Sequence, residues 1–207
     1  MSSTSLVIGS TGLVGRKLLF ELAKKESEVI AITRRSISNL PANVSLININ
    51  FDDFLENGIL PSCDHVYICL GTTIKKAGSQ SEFKKVDYGY CLSFAKKARE
   101  AGAKKISLIS SVGANPNVNN FYLKTKGEVE EEIKKIDFQT INIFRPSLLL
   151  GQRGESRFLE EIGQNLSSVI NLFLIGPLRK YRSVKATNVA YCMANYEQNV
   201  GIRYLYF

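Results

Sequence analysis

The sequence predicts an α/β fold: a doubly wound parallel sheet of the Rossmann type with a small C-terminal region on the substrate side. Three observations predict it. A glycine turn, Gly9-Ser10-Thr11-Gly12-Leu13-Val14-Gly15, joins an apolar run to an amphipathic one. Strand-like and helix-like segments alternate from there to residue 146, which implies parallel strands with helices on both faces. A basic pair, Arg34-Arg35, ends the second strand-like segment.

The first unit sets the pattern. Ser5-Leu6-Val7-Ile8 reads as a strand and Arg16 to Ala23 as a helix. Gly9 turns the chain sharply, Gly12 lets backbone approach an anion, and Gly15 lets the helix press on the sheet. The first turn of such a helix carries unpaired N–H groups and partial positive charge, which suit a pyrophosphate. Gly9, Thr11, Gly12, Leu13, Val14 and Gly15 are therefore candidate cofactor residues. The spacing is Gly-x-x-Gly-x-x-Gly, so the turn counts only together with its flanking strand and helix.

Glu28 to Thr33 is the second strand. A carboxylate at its end would hold a free ribose 2′-hydroxyl; Arg34 and Arg35 instead suit a 2′-phosphate and predict NADP(H). Val44 to Ile49 is the third strand. Asp52-Asp53 after it has two readings, a contact beside the adenine (Asp52) or a helix N-cap. His65 to Leu70 is the fourth strand. Its end, Leu70-Gly71-Thr72-Thr73, lies where this fold holds ligands.

Residues 74–80 read as a loop. Ser81 to Ala101 reads as one long helix with Phe83, Val86, Tyr90, Phe94 and Ala98 as its apolar stripe. Lys105 to Ile109 is the fifth strand and closes on Ser110-Ser111. A helix from about Phe121 to Lys135 and a strand from Gln139 to Phe144 follow. A composition change at Gly151 to Gly154 marks the start of a substrate-side region spanning 151–200 within one domain. Its expected elements are helix between Glu155 and Leu174, a short helix from Thr187 to Tyr196, and a last strand from Ile202 to Phe207.

Composition narrows the class. The 207 residues are 44% hydrophobic and 22% charged, as in ordinary globular domains. The net charge is +8, but the lysine doublets are dispersed, which argues against nucleic-acid binding and for attraction of an anionic cofactor. No apolar run approaches the roughly 18 residues of a membrane span. Met1 to Thr4 lacks a basic region, so no secretion signal is expected. Four cysteines without a Cys-x-x-Cys pair read as reduced thiols, and a cytoplasmic location is expected. The lone His65 has no metal-binding companions in sequence and reads as structural.

Tyr122 and Lys126 stand four apart, on one helix face, eleven residues after Ser111. An ammonium beside a phenol stabilises the phenolate, so such a tyrosine can exchange a proton while a nicotinamide exchanges a hydride. The serine hydroxyl would hold the carbonyl oxygen. A second Tyr-x-x-x-Lys match, Tyr181 to Lys185, lacks a preceding strand-end serine.

These features resemble the atypical short-chain dehydrogenases/reductases, and within them the Tat-interacting-protein oxidoreductase group and its epimerase-like bacterial relatives. The resemblance rests on Cys69-Leu70-Gly71-Thr72-Thr73, Lys76-Ala77-Gly78, Val86-Asp87-Tyr88, Ser110-Ser111 with Gly113-Ala114, Tyr122 to Glu128, and Phe144-Arg145-Pro146 with Leu149-Leu150. It implies an NADP(H)-binding fold with Ser111, Tyr122 and Lys126 in the catalytic places. Asp87 stands where many such proteins carry asparagine. The stretch beyond residue 150 looks short for a nucleotide-sugar pocket. The expected function is an NADPH-dependent carbonyl reductase, or alcohol dehydrogenase in reverse, acting on a small molecule as a monomer or homodimer. The alternatives are an NADPH-binding regulatory module without turnover, and a nucleotide-sugar epimerase-like enzyme.

Overall fold

The computed structural model describes residues 3–25, 28–150, 182–196 and 200–207. Its strands are β1 (Thr4–Ile8), β2 (Glu28–Thr33), β3 (Val44–Asn48), β4 (His65–Ile68), β5 (Lys105–Ile109), β6 (Thr140–Arg145), β7 (Leu149–Leu150), β8 (Val184–Lys185) and β9 (Gly201–Tyr206). Seven of them form one sheet in the order β3-β2-β1-β4-β5-β6-β9, and every pairing in it is parallel. β7 and β8 pair separately. The order reverses between β1 and β4, the place where a doubly wound sheet opens a crevice at its carboxyl edge.

Both faces of the sheet are buried, so its central strands read as continuous apolar runs. Within β1, Leu6 and Ile8 face one core and Val7 the other. The first core is closed by α2 (Phe51–Asn57), α5 (Cys91–Glu100) and α6 (Phe121–Lys134), through Phe51, Phe94, Ala98, Val129 and Ile133. The second is closed by α1 (Leu13–Ala23) and α7 (Ala186–Asn195), through Leu18, Leu22, Val189 and Met193. Residues 186–195, assigned by sequence to the substrate side, thus pack on α1. The helix expected between 155 and 174, the Tyr181 end of the second Tyr-x-x-x-Lys match, and most of the 151–200 region lie outside the described residues. Among the described residues no helix is long and apolar enough to cross a membrane.

Two segments differ from the sequence reading. The loop expected over 74–80 contains a helical turn, α3 (Ile74–Ala77). Thr73 Oγ1 accepts from the Lys76 amide at 3.2 Å, and Gly78 ends the turn at a left-handed φ of 88°. The long helix is in three pieces: α4 (Gln80–Lys84), a π-helical turn (Lys85–Tyr90) and α5. The wide turn changes which side chains point inward. Val86, expected in the apolar stripe, is only half-buried, while Asp87 is buried. Such π turns are rare, and many of them sit at functional sites.

His65 is half-buried on β4, its ring stacked on Tyr67 at 3.9 Å and its Nε2 2.9 Å from Ser107 Oγ. Burial, assisted by the charge of Lys105, pushes its pKa down to about 3. Below about pH 6.5 the unfolded chain then binds a proton that the folded chain refuses. Stability is expected to fall as pH drops through that value, by about 1 kcal/mol per pH unit at most for this half-buried ring. Urea unfolding at about pH 7 and about pH 5 checks it: a His65→Gln protein should lose less stability over that interval.

Candidate cofactor cleft and active site

A cleft of about 310 Å³ opens at the switch point between β1 and β4. Gly9, Thr11 and Gly12 form one wall, and Leu70, Gly71 and Thr72 the other. Arg34, Lys76, Glu82 and Val86 also reach it. Gly9 has φ +86°, and a Cβ there would lie 2.7 Å from the Cys69 backbone, so the two strand ends approach closely only through glycine. Gly15 was expected to meet the sheet; it meets the turn instead, with a Cβ placed 2.3 Å from the Gly9 carbonyl oxygen.

Among the described helices α1 and α7 begin without a side-chain cap, α5 continues from the π turn, and of these only α1 begins at the cleft. α2, α3, α4 and α6 begin with side-chain caps from Asn50, Thr73, Ser79 and Asn120. α1 begins at Gly12, with no side-chain cap and no acidic residue in its first turn. Its leading amides thus have no side-chain cap, as an anion site requires. Leu13 and Val14 contribute backbone to this turn, and the Val14 side chain is buried in the core.

Arg34 lies at the cleft with its guanidinium 5.2 Å from the centre of the Phe51 ring. Thr33 shapes the loop beneath it: its hydroxyl accepts from the Arg35 amide and donates to the Arg35 carbonyl. Arg35 does not line the cleft; its side chain is exposed. Asp52 is engaged elsewhere. Its carboxylate accepts from Lys85 Nζ at 2.9 Å and Tyr90 Oη at 2.7 Å, and these two bonds hold its pKa below the usual value. The N-cap of α2 is Asn50, so neither Asp52 nor Asp53 fills that place. Thr73 caps α3 and does not line the cleft.

Lys126 and Asp87 join the cleft to the helix carrying Tyr122. Lys126, 3% exposed, places Nζ 2.7 Å from Oδ1 of the fully buried Asp87. Asp87 Oδ2 accepts from the Thr72 amide at 2.8 Å. A Cβ on Gly71 would stand 3.5 Å from Asp87 Oδ1 and 3.8 Å from Lys126 Nζ, so the pair lies directly behind the cleft wall. Burial alone would lower the Lys126 pKa; the Asp87 carboxylate and the nearby Tyr122 oxygen outweigh it and hold the pKa above the usual lysine value. Lys126 is therefore an ammonium at neutral pH. The Tyr122 ring packs 5.6 Å from that of Phe83.

Ser111 lies past the end of β5, its hydroxyl donating to the Val112 carbonyl at 3.3 Å. The backbone around it is tied to β6: Ser110 N donates to Phe144 O, and Val112 N to Pro146 O. The Ser110 hydroxyl donates to Glu130, which also receives the Arg145 guanidinium. Arg145 donates in turn to Tyr206 Oη at 3.0 Å. Sequence reading missed this chain of contacts, which runs from the buried Ser110 and Glu130 to the exposed Tyr206. Its one visible trace was the acidic run after Lys126 and an arginine ending a strand. Among the described residues no group of His, Cys, Asp and Glu side chains is arranged to hold a metal ion.

This fold and cleft define a nucleotide-binding α/β protein, and comparison places it in a family. Residues 5–199 match the NAD dependent epimerase/dehydratase family, and the chain belongs to it. The protein FMP52, mitochondrial, of Candida albicans is 38% identical over 165 residues, 75% of this chain and 71% of that one. HTATIP2 of Rattus norvegicus is 35% identical over 157 residues, 73% of this chain and 64% of that one. The human epimerase family protein SDR39U1, solved with NADPH, superposes with a TM-score of 0.67 at 18% identity, covering 98% of this chain and 74% of that one. WbmG of Bordetella bronchiseptica, of similar fold, was solved with NAD. A nicotinamide dinucleotide is thus the family's cofactor. One expectation is corrected here. Fungal relatives at 34–38% identity are named as mitochondrial proteins, which points away from the cytoplasm.

Proposed function

We propose that the protein is an NADPH-dependent reductase of small aldehydes or ketones. The observation that carries this reading is the uncapped start of α1 facing Arg34 across a cleft whose rear wall holds Lys126. The residues present fit an anionic dinucleotide. Gly9, Thr11 and Gly12 would hold the diphosphate against the α1 amides, and Arg34 would hold the 2′-phosphate by charge-assisted bonds. Leu70 to Thr72 would flank the cofactor at the opposite wall. When bound, NADPH supplies the hydride.

The chain's own residues would handle the oxygen and the proton. Ser111 donates a hydrogen bond to the carbonyl oxygen and orients it. Tyr122 gives that oxygen a proton as charge develops there, and Lys126 stabilises the phenolate left behind. A reaction that returns the hydride, such as epimerisation, is the second reading. The family model favours it, and it would consume no NADPH.

Purified protein is expected to bind NADPH more tightly than NADH in calorimetry and to oxidise it in the presence of some aldehyde or ketone in a broad panel. Tyr122→Phe should still bind NADPH yet lose at least about 100-fold in turnover. Full turnover by Tyr122→Phe would refute the mechanism. Tight binding without NADPH oxidation would leave the regulatory or hydride-returning readings.

A further inference from the structure

β9 ends the sheet, and among the described residues no strand pairs with its outer edge. Its register with β6, from Thr140 opposite Gly201 to Arg145 opposite Tyr206, runs without a bulge. Gly201 donates its amide to Gln139 O at 2.9 Å, so its backbone groups face β6. With the strand's period of two, Arg203 and Leu205 do the same, and the backbone groups of Ile202, Tyr204 and Tyr206 point outward. The side chains of these same three residues share one face, where they are 45%, 36% and 50% exposed. An edge that stays single is ordinarily blunted by proline, lysine or a bulge. Gly201–Tyr206 has none of these.

We infer that this edge is a dimer interface: two copies of the chain pair antiparallel along β9, around a two-fold axis at Tyr204, and join their sheets into one. The strand is self-complementary around that residue. Tyr204 meets Tyr204 of the second copy, Ile202 meets its Tyr206, and each such pair exchanges both outward backbone bonds. The apolar strip then continues across the axis. Arg203 falls opposite Leu205, so no like charges meet within the strand pair. The cations beside the strip are balanced inside each copy. Arg145 lies 4.3 Å from the centre of the Tyr204 ring and is held by Glu130. Lys134 lies 5.8 Å from the same ring and is held by Glu131 at 2.6 Å. Pairing therefore buries no unpartnered cation of the strip, although each copy carries a net charge of +8. An extended segment of another protein would meet the same amides, but the two-fold match of side chains favours the second copy. Nothing in this pairing depends on the reductase reading.

Sedimentation of the full chain between about 1 and about 200 μM is the test. A monomer–dimer equilibrium with a micromolar dissociation constant is expected, because one strand pair is a small interface. Tyr204→Pro should weaken the dimer at least about tenfold. It deletes an outward amide and leaves the bonds to β6 in place, as an edge strand tolerates. Hydrogen exchange needs no variant, and it decides the matter if the proline protein does not fold. The wild-type amides of Ile202, Tyr204 and Tyr206 should exchange about fivefold more slowly at about 200 μM than at about 1 μM, while those of Arg203 and Leu205 should not respond. A chain still monomeric at about 200 μM overturns the proposal and leaves the edge to a segment of another protein. A dimer that Tyr204→Pro leaves intact, or whose outward amides ignore concentration, overturns it as well, because the copies then meet elsewhere.

Discussion

Lys126→Met is expected to cost about 3–5 kcal/mol of stability, among the largest single effects in the protein. The reason is the partner left behind. Asp87 is fully buried, and after the change its Oδ1 would face an apolar side chain in a site that Gly71 and Thr72 close from the cleft side. Methionine is unbranched like lysine and only one atom shorter, so lost packing contributes little and the unpaired charge contributes most. Urea unfolding of the single variant, of Asp87→Asn, and of the double variant makes a cycle. The double variant should recover part of the loss, because it buries no unpaired ion, and the coupling should exceed about 1 kcal/mol. Exposed pairs such as Lys24 with Glu21 should show a coupling below about 1 kcal/mol. A near-zero coupling for Lys126 and Asp87 would mean that the pair is not closed to water as the structure has it.

Gly15→Ala is the second large effect. Its added Cβ would fall 2.3 Å from the Gly9 carbonyl oxygen and about 3 Å from two further backbone atoms of the turn. Backbone cannot swing aside as a side-chain tip can, so α1 must move off β1 and carry its leading amides with it. A loss of about 1–3 kcal/mol is expected, together with at least about tenfold weaker NADPH binding. Gly78→Ala is the comparison. Gly78, unlike Gly15, has a positive φ, but nothing lies within 4 Å of its added Cβ, so it should cost only about 1 kcal/mol and leave binding almost unchanged. Thermal unfolding and calorimetry of both variants distinguish close approach from mere turn strain.

Much of this architecture was legible in the residues because it depends on local patterns. Apolar runs separated by amphipathic ones implied the parallel sheet, and the glycine turn implied where it opens. Arg34 and the Leu70–Thr72 segment then fell in the same cleft although 36 residues separate Arg34 from Leu70. What escaped depends on partners distant in the chain. Asp87 stands out in the sequence only through the resemblance, and its partner appears only when the π turn brings it against Lys126, 39 positions later. Asp52 looks like a cap or an adenine contact, but Lys85 and Tyr90 occupy it. The Glu130–Arg145 contact needs α6 and β6 side by side, and neither segment alone announces it. Location was misjudged for a different reason: an address is read by cellular receptors and need not leave a trace in core patterning.

The strand order also bears on how the polypeptide assembles. β1 pairs with β4 about sixty positions further on, so during synthesis the nucleotide-holding half closes only after the Leu70 region has emerged. The segment from Ser111 to Lys126 arrives later, and β9 docks last against β6. Such long-range parallel pairing makes for slow folding. A nicotinamide dinucleotide that grips the early half would therefore act on the nascent chain as well as on the finished protein, giving cofactor supply a route to influence how much of it accumulates.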